Sequence, residues 1–484
     1  MFVAYSAEAM PFFKKVILSN STRRTSLLLS AVLIPLSCLR PVCGKPVQST
    51  PTQVSLQADR LHNLMQSLGS GDSYSAVSSL IFENPRGPGA TMTAFEENPL
   101  FVYAVGRVRP PDSNFRPQEG LDSSATLIRR IIILKPSVII VADEIAPNAP
   151  DLKVAWSLIP RSPARFSRNK AELQGDEGEL SWEKLDMDAR IPRQKVGTNV
   201  RFIHVFNIKT KGSKKSSNRS VLTRVGAQLR LKVTTEARTF HFVLPPADQG
   251  AGTISISTSG HKTILESRLL PAGILPHGPE GARLLDLWDS DYRGSRPPLW
   301  DIGHTANELV KAVTAGEVHR CRVIDLCCGS GTDAVYLASR GFEVTGLDIA
   351  PTALSQARRK AAAAGVSVEW LYADVLNLPS IPPFDFIYDR GCYHVVRDQN
   401  LAAYLETVRK LSHPGTKFLL LASRANVQEA NAVTAGVSEE EIRFDFANLF
   451  DIHSLREISL ESNKEQGEAD PPGWSVLMTR KEDE

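Results

Sequence analysis

The residues with the clearest chemical potential lie in one stretch, Arg322-Val-Ile-Asp325-Leu-Cys-Cys-Gly329-Ser-Gly331-Thr-Asp333. A short apolar run ends in a carboxylate, turns on glycines and opens a helix near Ala334. Glycines let backbone approach a ligand closely, and a helix N-terminus presents N–H groups that no intrahelical carbonyl uses. Two more carboxylates close later apolar runs: Asp348, followed by Ile349, and Asp374, followed by Val375. In an open parallel sheet, ligands sit at the carboxyl ends of the strands. A fourth run leads into Asp389-Arg390-Gly391-Cys392-Tyr393-His394. Here Asp389 and Arg390 are expected to organise a pocket and Tyr393 to line it. His394 is the first candidate for a general base. Upstream, Trp288-Asp-Ser-Asp-Tyr292 and Trp300-Asp301 supply aromatic faces of the kind that attract a cation.

Strands alternating with helices must hold these residues. Strands are expected at 323–326, 342–347, 367–372, 384–388 and 417–422, with helices at 334–339, 352–364 and 401–411. Ser438-Glu-Glu-Glu441 reads as a capping box opening one more helix. Two final strands, 452–460 and 474–480, are separated by a loop. The glycine spacing alone fits two ligands. Gly329-x-Gly331-x-x-Ala334 also matches the dinucleotide fingerprint, and Asp348 follows Gly331 by 17 residues, near the usual acidic ribose partner. In that reading Asp325 would face a pyrophosphate and repel it.

As a set, these motifs resemble the class I S-adenosylmethionine-dependent methyltransferases, over residues 285–484. Within that superfamily, Trp288 to Tyr292, Pro297 to Gly303 and the Asp-Arg-Gly segment are similar to the thiopurine, thiol and halide methyltransferases and their tellurite-resistance-type relatives. The resemblance implies a Rossmann-like α/β domain with a seven-stranded sheet closed by a C-terminal hairpin. It implies S-adenosylmethionine as cofactor. The implied cofactor contacts are Trp288, Tyr292, Trp300, Asp301, Asp325, Gly329, Gly331, Asp348, Ile349, Asp374, Val375 and Asp389. Asp325 would receive the methionine ammonium, and Asp374 the adenine amine. Asp389, Tyr393 and His394 would act on a small-molecule acceptor, with a thiol, halide or metalloid preferred. An anionic acceptor needs no base, whereas a hydroxyl or ammonium must lose a proton. Arg424, Phe444 and Phe446 are candidate specificity residues. Cys327 stands where many relatives carry the first glycine of the turn.

The rest of the chain reads differently. A length of 484 residues implies two or three domains. A net charge of only +3 gives no sign of a nucleic-acid partner. Short strands without long amphipathic helices predict an all-β sandwich over 46–268, entered through a Pro/Ser/Thr/Gln-rich stretch near 46–56. On Phe101-Val-Tyr-Ala-Val-Gly-Arg107, Arg129-Arg130, Val141-Ala-Asp143-Glu144 and 199–206, it resembles the C-terminal sandwich of heparinase II/III-like proteins. There is no room for the helical toroid that precedes the sandwich in those lyases, so a non-catalytic module is expected. His204 and His241 read as ordinary core or surface histidines. Lys209, Lys211, Lys214, Lys215 and Arg219 read as a solvated loop, with polysaccharide contact as the sharper alternative. Prolines and glycines over 269–284 predict an interdomain linker. The six cysteines lack paired C-x-x-C units, so no metal site is expected and packed, reduced thiols are. Residues 1–45 combine basic residues, an apolar run at 27–39 and Val42-Cys43-Gly44, the layout of a signal peptide. An uncleaved anchor or a mis-started N-terminus are the other readings. A working methyltransferase belongs in the cytosol, where its cofactor is made. The competing function is an exported carbohydrate-binding module with a vestigial methyltransferase domain.

Overall fold

Alternating apolar residues build the first half of the chain as two antiparallel sheets. The computed structural model describes residues 52–57, 90–108, 125–147, 154–159, 164–167, 169–175, 178–185, 200–210, 218–246, 249–425, 436–463 and 469–482, with Tyr74 and Val77. The signal-like segment 1–45 and the basic residues Lys211, Lys214 and Lys215 lie outside the described residues. The larger sheet has eight strands and is centred on Phe101–Val108, Ala125–Leu134, Val138–Pro147 and Val200–Thr210. The smaller is a five-stranded meander from Arg219–Val225 to Thr263–Leu269. In Gln228–Thr234 the residues Leu229, Leu231 and Val233 point inward and their neighbours outward. They share a core with Tyr103, Ile132, Ile140 and Val205 of the larger sheet. The other face of the larger sheet is covered too, around Phe95, Ile131, Ile133 and Phe206. That double burial explains why Ile131-Ile-Ile133 does not alternate with polar residues. Thr52–Gln57, in the stretch read as a linker, is a strand paired in parallel with Val154–Ile159.

The expected linker at 269–284 is corrected. Leu270 and Leu275 are buried. The Phe95 amide donates to the Gly273 carbonyl (3.2 Å), and the Leu275 amide donates to the Phe95 carbonyl (3.0 Å). The Ala272 amide donates to Tyr372 O at 2.9 Å. Arg268 pairs with buried Glu96 and lies 5.3 Å from the Tyr372 ring. These residues stitch the sheets to the second half of the chain. Pro279 then occupies the first helical turn, where its missing N–H costs nothing. Helix α1 therefore runs Gly278–Arg293, starting inside the expected linker.

The second half is a seven-stranded sheet flanked by helices. Its strands are β1 (Arg322–Leu326), β2 (Glu343–Asp348), β3 (Glu369–Tyr372), β4 (Phe384–Arg390), β5 (Ser412–Ser423), β6 (Phe450–Ser459) and β7 (Pro472–Arg480). The order across the sheet is β3-β2-β1-β4-β5-β7-β6. The first five strands are parallel, and β7 pairs antiparallel with both β5 and β6. The helices are α2 (Asn307–Thr314), α3 (Thr332–Ser339), α4 (Pro351–Ala364), α5 (Tyr393–Leu411) and α6 (Glu439–Phe446). Consecutive residues of β1 enter opposite cores: Val323 packs with Leu337 and Phe386, and Ile324 with Ile387 and Phe418. Ser438 forms the expected capping box with Glu441 at the start of α6. Order reverses between β1 and β4, so the crevice above that point is where a ligand is expected.

Candidate active site

The turn after β1 needs unusual backbone. Cys327, Gly329 and Gly331 have φ of 51°, 54° and 76°. The left-handed region is costly for a residue with a side chain, so Cys327 is the strained member. Asp348, at the end of β2, holds the turn from the neighbouring strand. Its carboxylate accepts from the Gly329 amide at 2.7 Å and from the Ala350 amide at 2.8 Å. Burial still pushes the Asp348 carboxyl up to about 6. The two glycines do different work. A Cβ on Gly329 would lie 2.6 Å from the Tyr292 hydroxyl. A Cβ on Gly331 would lie 2.6 Å from both Ala357 and Trp370, so this glycine serves the packing of α3 on α4.

Because β1 and β4 are neighbours with Leu326 opposite Asp389, the residues that follow each strand meet. Cys327 and Cys392 form a disulfide there, with Cα atoms 5.6 Å apart. The expectation of reduced thiols is thereby corrected for this pair, while Cys321 and Cys328 are free. Among the described residues no cluster is arranged to hold a metal.

Two adjoining cavities open above the sheet. The smaller is lined by Asp325, Ser330, Thr332, Asp333 and Arg390. Two of its polar atoms, Asp325 Oδ2 and Arg390 Nε, are buried with no hydrogen-bond partner. One is an acceptor and the other a donor on a cation. Burial raises the Asp325 carboxyl well above the ordinary range, and the nearby Asp333, Asp389 and Asp348 raise it further. A cavity with this excess of carboxylates is short of positive charge. The larger cavity, of about 500 Å³, runs past Asp348, Ile349, Asp374 and Val375 to His394. Trp288, Tyr292 and Trp300 also line it. The Trp288 and Trp300 rings lie 5.8 Å apart, and Trp300 Nε1 donates to the Tyr292 hydroxyl at 2.8 Å.

The aromatic cover is fastened from below. Arg390 donates to the carbonyls of Trp300 (2.8 Å) and Glu461 (2.6 Å). Ser330 of the glycine turn donates to Asp301 at 2.5 Å. Lys360 on α4 donates to Thr332 at 2.8 Å and also reaches Ser330. The Glu461 carboxylate accepts from the backbone and side chain of Asn307 at 2.8 and 2.7 Å.

Residues 323–415 match the family model of a methyltransferase domain. An uncharacterized methyltransferase of Schizosaccharomyces pombe is 30% identical over 111 residues, 23% of this chain and 76% of that protein. The chain belongs to the S-adenosylmethionine-dependent methyltransferases. The 2-heptyl-1-hydroxyquinolin-4(1H)-one methyltransferase of Mycobacteroides abscessus is 34% identical over 146 residues, 28% of this chain and 64% of that protein. A protein named probable thiol methyltransferase 2, of Arabidopsis thaliana, is 25% identical over 136 residues, 28% of this chain and 60% of that protein. The chain thus spans somewhat under two thirds of these two relatives and about three quarters of the yeast one.

The cofactor of this methyltransferase is S-adenosylmethionine. The smaller cavity fits its amino-acid end: Asp325 Oδ2 would take the ammonium, and Arg390 Nε the carboxylate. Asp348 and Asp374 line the larger cavity, where they would face the adenosyl group. The Asp374 carboxyl is raised by burial and accepts from the Leu376 amide at 2.9 Å. The rings of Trp288, Tyr292 and Trp300 provide the faces a sulfonium prefers. Most of the expected contacts of this methyltransferase therefore line one pair of cavities. Asp301 lines the smaller one but is bonded to Ser330.

Other expectations for the methyltransferase are corrected. Gly331 faces α4 instead of the cavities. Asp389 is fully buried and accepts from the amides of Cys392 (2.9 Å) and Tyr393 (3.1 Å) and from the Tyr404 hydroxyl (2.5 Å). It is a positioning residue that caps the start of α5, with its carboxyl pushed up to about 7 by burial. Tyr393 is fully buried too, and its hydroxyl donates to Asp445 at 2.6 Å. Neither lines either of these two cavities. Phe446 is in the core, Phe444 is 83% exposed, and Arg424 pairs with Glu457, so none of these three reaches the site. Reading the sequence missed Ser330, Lys360, Asp333 and Glu461. Ser330 and Asp333 lay inside the glycine motif and could have been weighed, whereas Lys360 and Glu461 carried no local signal.

Proposed function

We propose that this chain methylates a small organic acceptor held in the larger cavity, with Asp325 and Arg390 anchoring the amino-acid end of the cofactor. The observation that carries the reading is the pair of unpartnered buried atoms, one carboxylate oxygen and one guanidinium nitrogen, in a single cavity. Bound S-adenosylmethionine supplies an electrophilic methyl group, so the protein's task is alignment and exclusion of water. Arg390 does both, holding the cofactor end while tying down the Trp300 and Glu461 segments. Similarity to relatives named for a quinolone and for a thiol supports a small acceptor, with the thiol and halide branch as the preferred neighbourhood.

The two β-sheets are proposed as a non-catalytic module of the heparinase II/III-like kind. Arg268 and Glu96 join them to the strand that precedes Asp374. A polysaccharide contact by the Lys209 to Arg219 stretch and a cytosolic location complete the proposal. The test is calorimetry on the full chain with S-adenosylmethionine, followed by an acceptor screen with radiolabelled methyl. Binding together with methyl transfer to a thiol or hydroxyquinolone supports the reading. A folded protein that binds no cofactor removes it and favours an exported binding module.

A further inference from the structure

His394 is the second residue of α5 and lines the larger cavity. The Ser423 backbone amide points at its Nδ1 at 3.3 Å. An amide N–H can only donate, so Nδ1 must offer a lone pair. In the neutral ring the single proton then sits on Nε2. Nδ1 is taken by the Ser423 amide of β5, so Nε2 is the ring nitrogen still available. In this tautomer a ring that lines the cavity can offer it an N–H but no lone pair. To act as a base at Nε2 it would have to move its proton to Nδ1, where it would meet the Ser423 N–H head on.

Among the described residues, the other ionisable groups that line the cavity do not supply a base either. From β2, Asp348 is held by the Gly329 and Ala350 amides. After β3, Asp374 caps its own turn through the Leu376 amide. At the end of β4, Arg390 is a cation already engaged with two carbonyls. After β6, Glu461 has both oxygens on Asn307. On α1, the Tyr292 hydroxyl accepts from Trp300, and burial and nearby carboxylates hold it well above its usual range. Cys327 and Cys392 are bonded to each other. The same surroundings keep His394 uncharged: burial first, then the charge of Arg390, lower its imidazole to about 4. Most of the remaining walls are apolar, including Leu299, Leu376, Val395, Val396 and Leu460, with Gln399, Ser423 and Ser462 as the neutral polar residues among them.

We propose that the acceptor is a lipophilic weak acid that enters already ionised, and that His394 positions this anion by donating Nε2–H instead of removing a proton from it. The class comprises aromatic thiolates, phenolates of low pKa and N-hydroxy heterocycle anions. This inference rests on the methyltransferase reading and names the acceptor class for the same site. In the transfer step the anion's lone pair forms the bond to the methyl carbon. The carbon–sulfonium bond breaks and its electrons stay on sulfur. The negative charge of the acceptor and the positive charge of the sulfonium cancel, and no proton is released to the protein.

The test uses the full chain and a set of aromatic thiols and phenols whose own pKa values span about 5 to 10. Cofactor binding is first measured by calorimetry without acceptor, so failure of the methyltransferase reading is seen separately. Then kcat/KM is followed against pH for each acceptor. The expected midpoint moves with the acceptor's own pKa and not with any group of the protein. His394→Phe removes the donor and loses about tenfold to a hundredfold, the effect of one hydrogen bond to a charged group. His394→Gln, which offers an N–H but no base, recovers most of that loss. A midpoint fixed at one pH for every acceptor overturns the proposal. So does a Gln variant as inactive as the Phe variant. A protein that binds cofactor but transfers methyl only to alcohols or amines, or to none of the ionised acceptors, overturns it as well.

Discussion

Replacing Asp325 by asparagine separates the two things its carboxylate does. In the cofactor-free protein, Asp325 is 2% exposed and surrounded by Asp333, Asp348 and Asp389. An amide of the same shape removes one member of that like-charged group, so the thermal midpoint of the cofactor-free chain rises. With cofactor bound, the carboxylate would hold an ammonium. The amide keeps the carbonyl oxygen but loses the charge. A charge-assisted hydrogen bond contributes about 1–2 kcal/mol more than a neutral one, which corresponds to a roughly 5- to 30-fold weaker Kd for S-adenosylmethionine. The assays are calorimetry for Kd and thermal melts with and without cofactor. Higher stability and weaker binding are expected in the same variant. A lower midpoint with unchanged Kd would show that Asp325 only supports the fold, and the reasoning about the smaller cavity would fail.

Asp389→Asn destabilises by about 1–3 kcal/mol, because one of its three donors then meets an N–H₂ group. The wild-type carboxyl is raised to about 7, so its stabilising contribution is complete below the ordinary carboxylate range and is lost as pH rises through 7. Asparagine does not titrate, so the gap between the two melting points narrows from acid to neutral pH; a gap that widens contradicts the assignment. Gly331→Ala puts a methyl 2.6 Å from Ala357 and Trp370 at a φ of 76°, and is expected to cost about 1–3 kcal/mol in denaturant melts. Arg268→Met leaves Glu96 buried without its cation and should cost about 3–5 kcal/mol, whereas a stable variant would show that the junction between the sheets and the α/β domain is incidental.

The α/β half was largely legible because each carboxylate of interest closes an apolar run. The sequence alone places Asp325, Asp348 and Asp374 at or just beyond strand ends, and the glycines mark the turn at 327–331. Asp389 sits at an equivalent strand end yet points down to cap α5. Strand position does not tell which way a terminal side chain turns, although an Asp can bond backbone amides three and four residues on, as Asp389 does with Cys392 and Tyr393. Tyr393 precedes His394 by one residue on a helix, so the two project in different directions and only one lines the cavity. The 269–284 stretch was misread because prolines and glycines mark any change of direction, and here they mark a packed junction and the start of α1. The Cys327–Cys392 pair depends on β1 and β4 being neighbours, a tertiary fact with no sequence spacing behind it. The fastening of Trp300 by Arg390 and of Ser330 by Lys360 likewise joins residues far apart in the chain.

The most direct measurement is a crystal structure of the full chain with S-adenosylhomocysteine. The ligand's ammonium is expected on Asp325, its carboxylate on Arg390, its adenosyl group beside Asp348 and Asp374, and its sulfur beneath the rings of Tyr292 and Trp300. An amino-acid end bound elsewhere, with Asp325 and Arg390 making no contact to it, would refute the role assigned to the smaller cavity.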